Sequence, residues 1–268
     1  ALPEIQIDGT KDMIMKRRTG ILGKKGLLML SILAIGVIAT LVVYQSGVVT
    51  TPVVDCVSAT AGSSPSDATP GTVTIKADVW VDNWFAFYLG EQLVKEDSVS
   101  ITTERSFNKE SFTFEAMYPL QLNFIVKDYK ANDTGLEYIG TDRQQMGDGG
   151  FIAQFTDVAT CRVIAVTNED WKGLVIHKAP LDIACAKEAN PIVGQAPCIF
   201  TALDEPAGWK APGFDEAAWS NAILYTTSQV DPKFGYDEVK WDSAAKLIWG
   251  PDLKTDNTIL YRLTVPAP

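Results

Sequence analysis

The chain has one histidine, His177, and four cysteines, Cys56, Cys161, Cys185 and Cys198, among 268 residues. No two cysteines form a CxxC pair and the histidine stands alone, so the closely spaced nitrogen and sulfur ligands of a zinc site are missing. A Ser-His-Asp arrangement lacks support too: His177 lies in LVIHKAP with no nucleophile motif, and reads as a strand histidine whose ring nitrogens are satisfied by neighbours. Basic residues are equally scarce past the N-terminal arm, the first after Lys25 being Lys76. Removing the six basic and three acidic residues of positions 1–25 from totals of 23 and 33 leaves 17 and 30, a net charge of −13. Phosphate backbones are bound through clustered Lys and Arg, which argues against nucleic acid as a partner. No segment after the arm and its following apolar run has a convincing amphipathic helical period, and no repeat period stands out, which disfavours propellers and solenoids.

What is present begins with GLLMLSILAIGVIATLVVY, Gly26 to Tyr44, nineteen residues without a charge. As a helix it would be roughly 28 Å long, close to the hydrocarbon thickness of a bilayer. The run is too long for a signal peptide, follows a polar arm and has no small-residue cleavage site behind it, so a single transmembrane helix is expected. Lys16, Arg17, Arg18, Lys24 and Lys25 crowd its N-terminal flank, which keeps the arm on the cytoplasmic or stromal side and sends the rest of the chain to the extracellular or lumenal side. The start at Ala1 without Met reads as a removed presequence, which is compatible with an organelle such as a plastid and insertion into its thylakoid membrane.

All four cysteines follow the span, and an even number in an extracytoplasmic domain suggests disulfides. Three pairings are open. Cys185 with Cys198 is favoured for the short loop carrying Pro191, Gly194 and Pro197, leaving Cys56 to fasten the start of the domain to Cys161.

The chain thus divides into a basic arm over 1–25, the span over 26–44, a Ser, Thr, Gly and Pro-rich stalk over 45–72 and a domain over 73–265. The domain carries short β-prone runs separated by turn residues: VTIKADVWV, WFAFYL, SVSITT, SFTFEA, QLNFIV, FIAQFT, CRVIAVT, LVIHKA, AILYTT, KLIWG and TILYRLTV. Many alternate with a period of two, as half-buried strands do, and together they predict an all-β sandwich of jelly-roll type.

Four segments in order resemble the galactose-binding-like jelly rolls that are appended to glycoside hydrolases and occur in algal and viral surface proteins. WKAPGFDEAAWSNA, Trp209 to Ala222, is similar to their W, GFDDSxW and A signature; ADVWVDNWFAFYLGEQLV to the strand pair carrying ADNxFxLYVNG; VTNEDWKG to a TDxSWK turn; and AKLIWGPDLKTDNTILYRLTV to their closing strands. The resemblance covers about Val73 to Val265 and departs at Leu89-Gly90-Glu91, where the usual turn is Asn-Gly. It implies a fold and not a function. Phe214 and Trp219 flank a turn at Gly213 and read as structural aromatics closing one end of a sandwich, with Trp171 and Trp249 in similar roles.

Carboxylates are plentiful but scattered, and adjacent pairs such as Asp204-Glu205 and Asp215-Glu216 read as solvated loops. DYKANDTGLE, Asp128 to Glu137, has the acids of a calcium loop but fails the EF-hand template at Lys130 and at the glycine position. Some related jelly rolls hold a structural calcium through loop carboxylates, so the resemblance leaves room for one; no other cofactor is expected. GDGG, Gly147 to Gly150, opens no helix and does not read as a phosphate cradle.

The preferred reading is therefore a non-enzymatic, single-pass accessory subunit of a larger membrane complex, its partners being the bilayer and other membrane subunits. The small residues Ser31, Ala34, Gly36 and Ala39 would let its helix pack closely against others. The alternative is a membrane-anchored, lectin-like protein whose loops bind glycan.

Overall fold

The structure, a computed structural model, describes residues 71–268. The arm, the apolar run Gly26 to Tyr44, its basic flank and Cys56 lie outside the described residues; among those described, no helix is long and apolar enough to cross a membrane.

Fifteen strands carry the described chain: β1 (Val73–Asp82), β2 (Trp84–Leu89), β3 (Gln92–Glu96), β4 (Lys109–Ala116), β5 (Leu120–Lys127), β6 (Leu136–Glu137), β7 (Gln145–Met146), β8 (Gly150–Asp157), β9 (Arg162–Val166), β10 (Lys172–Lys178), β11 (Thr201–Ala202), β12 (Ser220–Asn221), β13 (Ile223–Tyr225), β14 (Leu247–Trp249) and β15 (Asp256–Val265). One sheet runs β13-β14-β8-β1-β4 with β9 also on β8; the second runs β11-β10-β15-β5-β2-β3 with β12 also on β10; β6 and β7 form a small hairpin. Every pairing is antiparallel.

Alternation along the strands builds the sandwich. Ile75, Ala77, Val79 and Val81 of β1 and Phe151, Ala153 and Phe155 of β8 meet Phe85 and Phe87 of β2, Leu122, Phe124 and Val126 of β5 and Tyr261 of β15 in one buried core. Phe124 is its hub, with ring centroids 4.8 Å from both Phe87 and Phe151. Trp171 and Trp249, both fully buried, complete this core and satisfy their indole N–H groups on the carbonyls of Val166 and Asp256, each at 2.8 Å.

The alternate residues do not all face water, which explains why several strands read as apolar on both faces. Trp80 and Ile152 pack outside the first sheet with Val230 and Leu247. Ala86, Ile125 and Leu260 lie outside the second sheet, beneath Trp209 and Trp219.

This last arrangement corrects the place expected for the Gly208–Ala222 aromatics. They cover the outer face of a sheet instead of closing an end of the sandwich, and Phe214 is only half-buried there, edge-on to Trp219 at 5.7 Å. The reason lies in Arg262, whose side chain is directed to that outer face and gathers the segment's carbonyls around its guanidinium. A second correction concerns SVSITT, which forms bends and no strand. Its amides are taken by side-chain oxygens: Ser98 N donates to Glu110 Oε1, Val99 N to Asp97 Oδ1, and Thr102 and Thr103 N to Ser106 Oγ. The strand in this region is the more polar β3.

Candidate functional site: a carboxylate centre beneath a cleft

The chain crosses from the first sheet to the second between Asp82, the last residue of β1, and Trp84, the first of β2. At the same end, β5 stops at Lys127 and β8 starts at Gly150, so Asp82, Asp128 and Asp148 arrive from three different parts of the chain. Backbone bonds fix the junction: Asn83 N donates to the Lys127 carbonyl at 2.8 Å, Asp128 N to the Asn257 carbonyl at 2.9 Å and Tyr129 N to Asn83 Oδ1 at 2.6 Å. One carboxylate oxygen from each aspartate lies within 4.8 Å of those of the other two. The β6-β7 hairpin places Glu137 nearby, its Oε2 accepting from Gln145 Nε2 at 2.8 Å.

Burial is severe. Asp82 is 1% exposed, Asp128 2% and Glu137 1%, while Asp148 is half-buried. Asp82 Oδ1 and both carboxylate oxygens of Asp128 have no hydrogen-bond partner among the described residues. The Tyr129 amide, committed to Asn83, only slightly favours the Asp128 charge. Burial first, then mutual repulsion, pushes Asp82 and Asp128 well above the ordinary carboxylate range. Glu137 is raised by burial to about 7 against the help of Gln145, and Asp148 is raised by burial and partly relieved by Lys233. Lys233 itself is paired with Asp231, and no ion pair joins it to the aspartates among the described residues.

Gly147 is part of this design. A Cβ there would come within 1.7 Å of Asp128 Oδ2, so only a bare Cα lets this backbone lie against the carboxylate. GDGG is thus a close-approach segment, with Asp148 facing the centre.

Outside lies a cleft of about 310 Å³ whose walls include Glu104, Phe107, Glu137, Asp148 and Phe234. Phe234 is 75% exposed and stacks on Phe107 with ring centroids 6.0 Å apart and planes at 27°. Its backbone is held from below, because the buried indole of Trp80 donates to the Phe234 carbonyl at 2.9 Å.

No family model matches the chain, and no curated protein or solved structure matches it either. Three carboxylates, two of them with orphaned oxygens, offer hard oxygen donors, and no histidine or cysteine stands among them. They are poorly placed for glycoside hydrolysis, which needs two accessible carboxyl groups flanking the scissile bond, whereas Asp82 and Asp128 are sealed behind the cleft wall.

None of the residues singled out in the sequence for architecture lines the cleft. Cys185 and Cys198 form a disulfide, with S–S 2.04 Å, under the loop that follows β10. The partner expected for Cys161 lies outside the described residues. His177 is buried in β10 between Asn257 Oδ1 at 3.0 Å and Asp133 Oδ1 at 3.2 Å, and stacks on Phe200. Burial lowers its pKa, followed by the charge of Lys130. DYKANDTGLE does contribute to the centre, through its first and last residues. The remaining carboxylates, Asp82 in VDNW and Asp148 in GDGG, carry no local signal and are joined to it only by the fold.

Proposed function

We propose that this chain is a non-enzymatic, membrane-anchored recognition protein, with a jelly-roll domain of galactose-binding-like type that binds glycan in the cleft at the Asp148 end of its sandwich. The observation that carries this reading is the exposed Phe234, stacked on Phe107 and braced by Trp80, at the rim of a cleft walled by Glu104, Glu137 and Asp148. A sugar ring offers an apolar C–H face and hydroxyl donors; an aromatic platform beside carboxylate acceptors complements both. Glycan-array binding of the full chain tests it. Saturable binding lost in Phe234→Ala, with folding intact, is the expected result; an array with no saturable signal overturns the reading.

The accessory-subunit reading is favoured by a different observation. Leu181, Ile183, Ile192, Val193, Ile199 and Leu203, each at least 40% exposed, all belong to the segment around the Cys185–Cys198 bridge. Apolar side chains concentrated in one stapled segment are the composition of a protein contact. Replacing Ile183 and Leu203 by Ser should then reduce co-purification with a membrane complex without affecting glycan binding.

A further inference from the structure

We infer that Asp82, Asp128 and Asp148 hold a calcium ion at the junction of the two sheets, with the side of the ion nearest Asp148 turned toward the cleft. This goes beyond the recognition reading and does not depend on it.

The first support is convergence: carboxylate oxygens from the end of β1, the end of β5 and the approach to β8 come within 4.8 Å of one another. The second, independent of the clustering, is Asp128. Its side chain is inside the protein, 2% exposed, with both oxygens unpartnered and one of them facing the others of the cluster. Native proteins rarely leave a buried polar atom unsatisfied, and an unmatched buried carboxylate is strongly destabilising even after relaxation. No basic side chain among the described residues forms an ion pair with the three aspartates, and the nearby Lys233 is engaged by Asp231. A proton taken up by one carboxyl would neutralise that group alone and leave the oxygens of its neighbours without a partner. A divalent cation satisfies all three groups at once and offsets their mutual repulsion.

The donor set selects the metal class. Carboxylate oxygens without imidazole or thiolate disfavour zinc and copper and suit a hard cation. Magnesium keeps most of its waters and is usually held by one or two carboxylates, whereas calcium accepts six to eight oxygens and tolerates irregular cages. Three carboxylates crowded behind Gly147 fit calcium better. Asp148 is both a ligand and a wall of the cleft, so positions the protein does not fill open on that side.

The test is calorimetric titration of the full 268-residue chain, stripped with chelator, using Ca²⁺ alone and no sugar. One saturable site is expected, with a dissociation constant of about 10⁻³ M or tighter. Asp128→Asn should abolish it, and Asp148→Asn, at the half-exposed position where folding is safest, should weaken it at least about tenfold. Thermal unfolding with and without Ca²⁺ provides a second readout, the midpoint rising only in proteins that bind. A folded wild-type chain with no saturable Ca²⁺ effect up to about 10 mM overturns the inference, that being well above the weakest sites of this kind. So does unchanged affinity in Asp148→Asn. A negative glycan array with intact Ca²⁺ binding would remove the glycan reading and leave this site standing.

Discussion

Arg262 donates from its guanidinium to the backbone carbonyl of Trp209, across the outer face of the second sheet. The arginine is 1% exposed, yet carries a charge; Glu216 Oε2 lies 3.4 Å from its Nε, the Ala211 carbonyl accepts from Nη2 at 3.4 Å, and Phe214 presents its ring at 5.3 Å. A polar, glycine- and proline-rich segment is thereby fixed over an apolar sheet face without secondary structure of its own. Replacing Arg262 by Met keeps the volume but orphans two carbonyls, so the domain should lose about 2 to 4 kcal/mol. Urea unfolding of the variant measures this, and protease sensitivity should rise first between Gly208 and Ala222.

The aromatics of that segment separate by depth. Trp219 is 6% exposed against Ala86, Ile125 and Leu260, and Trp219→Ala should cost about 3 to 5 kcal/mol as a large-to-small core change. Phe214, half-buried, should cost about 1 to 2 kcal/mol, in proportion to the smaller area it removes from water. Equal losses in the two variants, read from the same denaturation curves, would contradict the placement of Phe214.

A pH effect is expected from Asp97. Its Oδ1 accepts from Val99 N at 2.9 Å, its Oδ2 has no partner, and burial raises its pKa from 3.8 to about 7, with the charge of Glu110 adding to the shift. Between these two values the folded protein keeps a proton that the unfolded chain releases. Its contribution to stability is therefore fully present below about pH 4 and is lost as pH rises through about 7. Asp97→Asn should remove this share of the slope and be more stable than wild type at pH 8, as thermal midpoints across pH 4 to 8 would reveal.

The Cys185–Cys198 bridge closes a short loop, and its removal by a double Ser substitution should lower stability by about 3 kcal/mol through the entropy of the unfolded chain. With Cys56 and Cys161 replaced by Ser in both proteins, the same shift should follow reduction where the bridge is intact, and the variant lacking Cys185 and Cys198 should not respond to reductant.

Sequence periodicity carried most of the sandwich because its strands obey one rule, inward residues alternating with outward ones, as Ile75, Ala77, Val79 and Val81 do. It failed at SVSITT, where β-branched residues have the right propensity but their amides are claimed by Asp97, Glu110 and Ser106 side chains. It also missed β3, whose exposed QLVKE has little apolar pattern to detect. The carboxylate centre was half visible. DYKANDTGLE drew notice for its acids, but a contiguous calcium loop is the wrong template when the three aspartates stand 46 and 20 residues apart and meet only through strand ends. Nothing local distinguishes Asp82 from any other aspartate at the end of a strand. The cleft was invisible for a similar reason, since Phe107 and Phe234 are neighbours only in three dimensions.

The glycines leading into β8 have a wider significance. Gly147 lies against Asp128, Gly149 against the indole of Trp249 and Gly150 against Val230, so four consecutive positions touch the carboxylate centre, the inter-sheet core and the cluster outside the first sheet. A methyl group at any of the three would strike a different neighbour, at 1.7, 2.3 and 2.5 Å respectively. The segment is a shared wall between three compartments, and a wall common to all of them cannot be thickened toward one without moving its other faces. Substitutions here should therefore resist rescue by a single second-site change, because the space that relieves one neighbour is not the space the other two require.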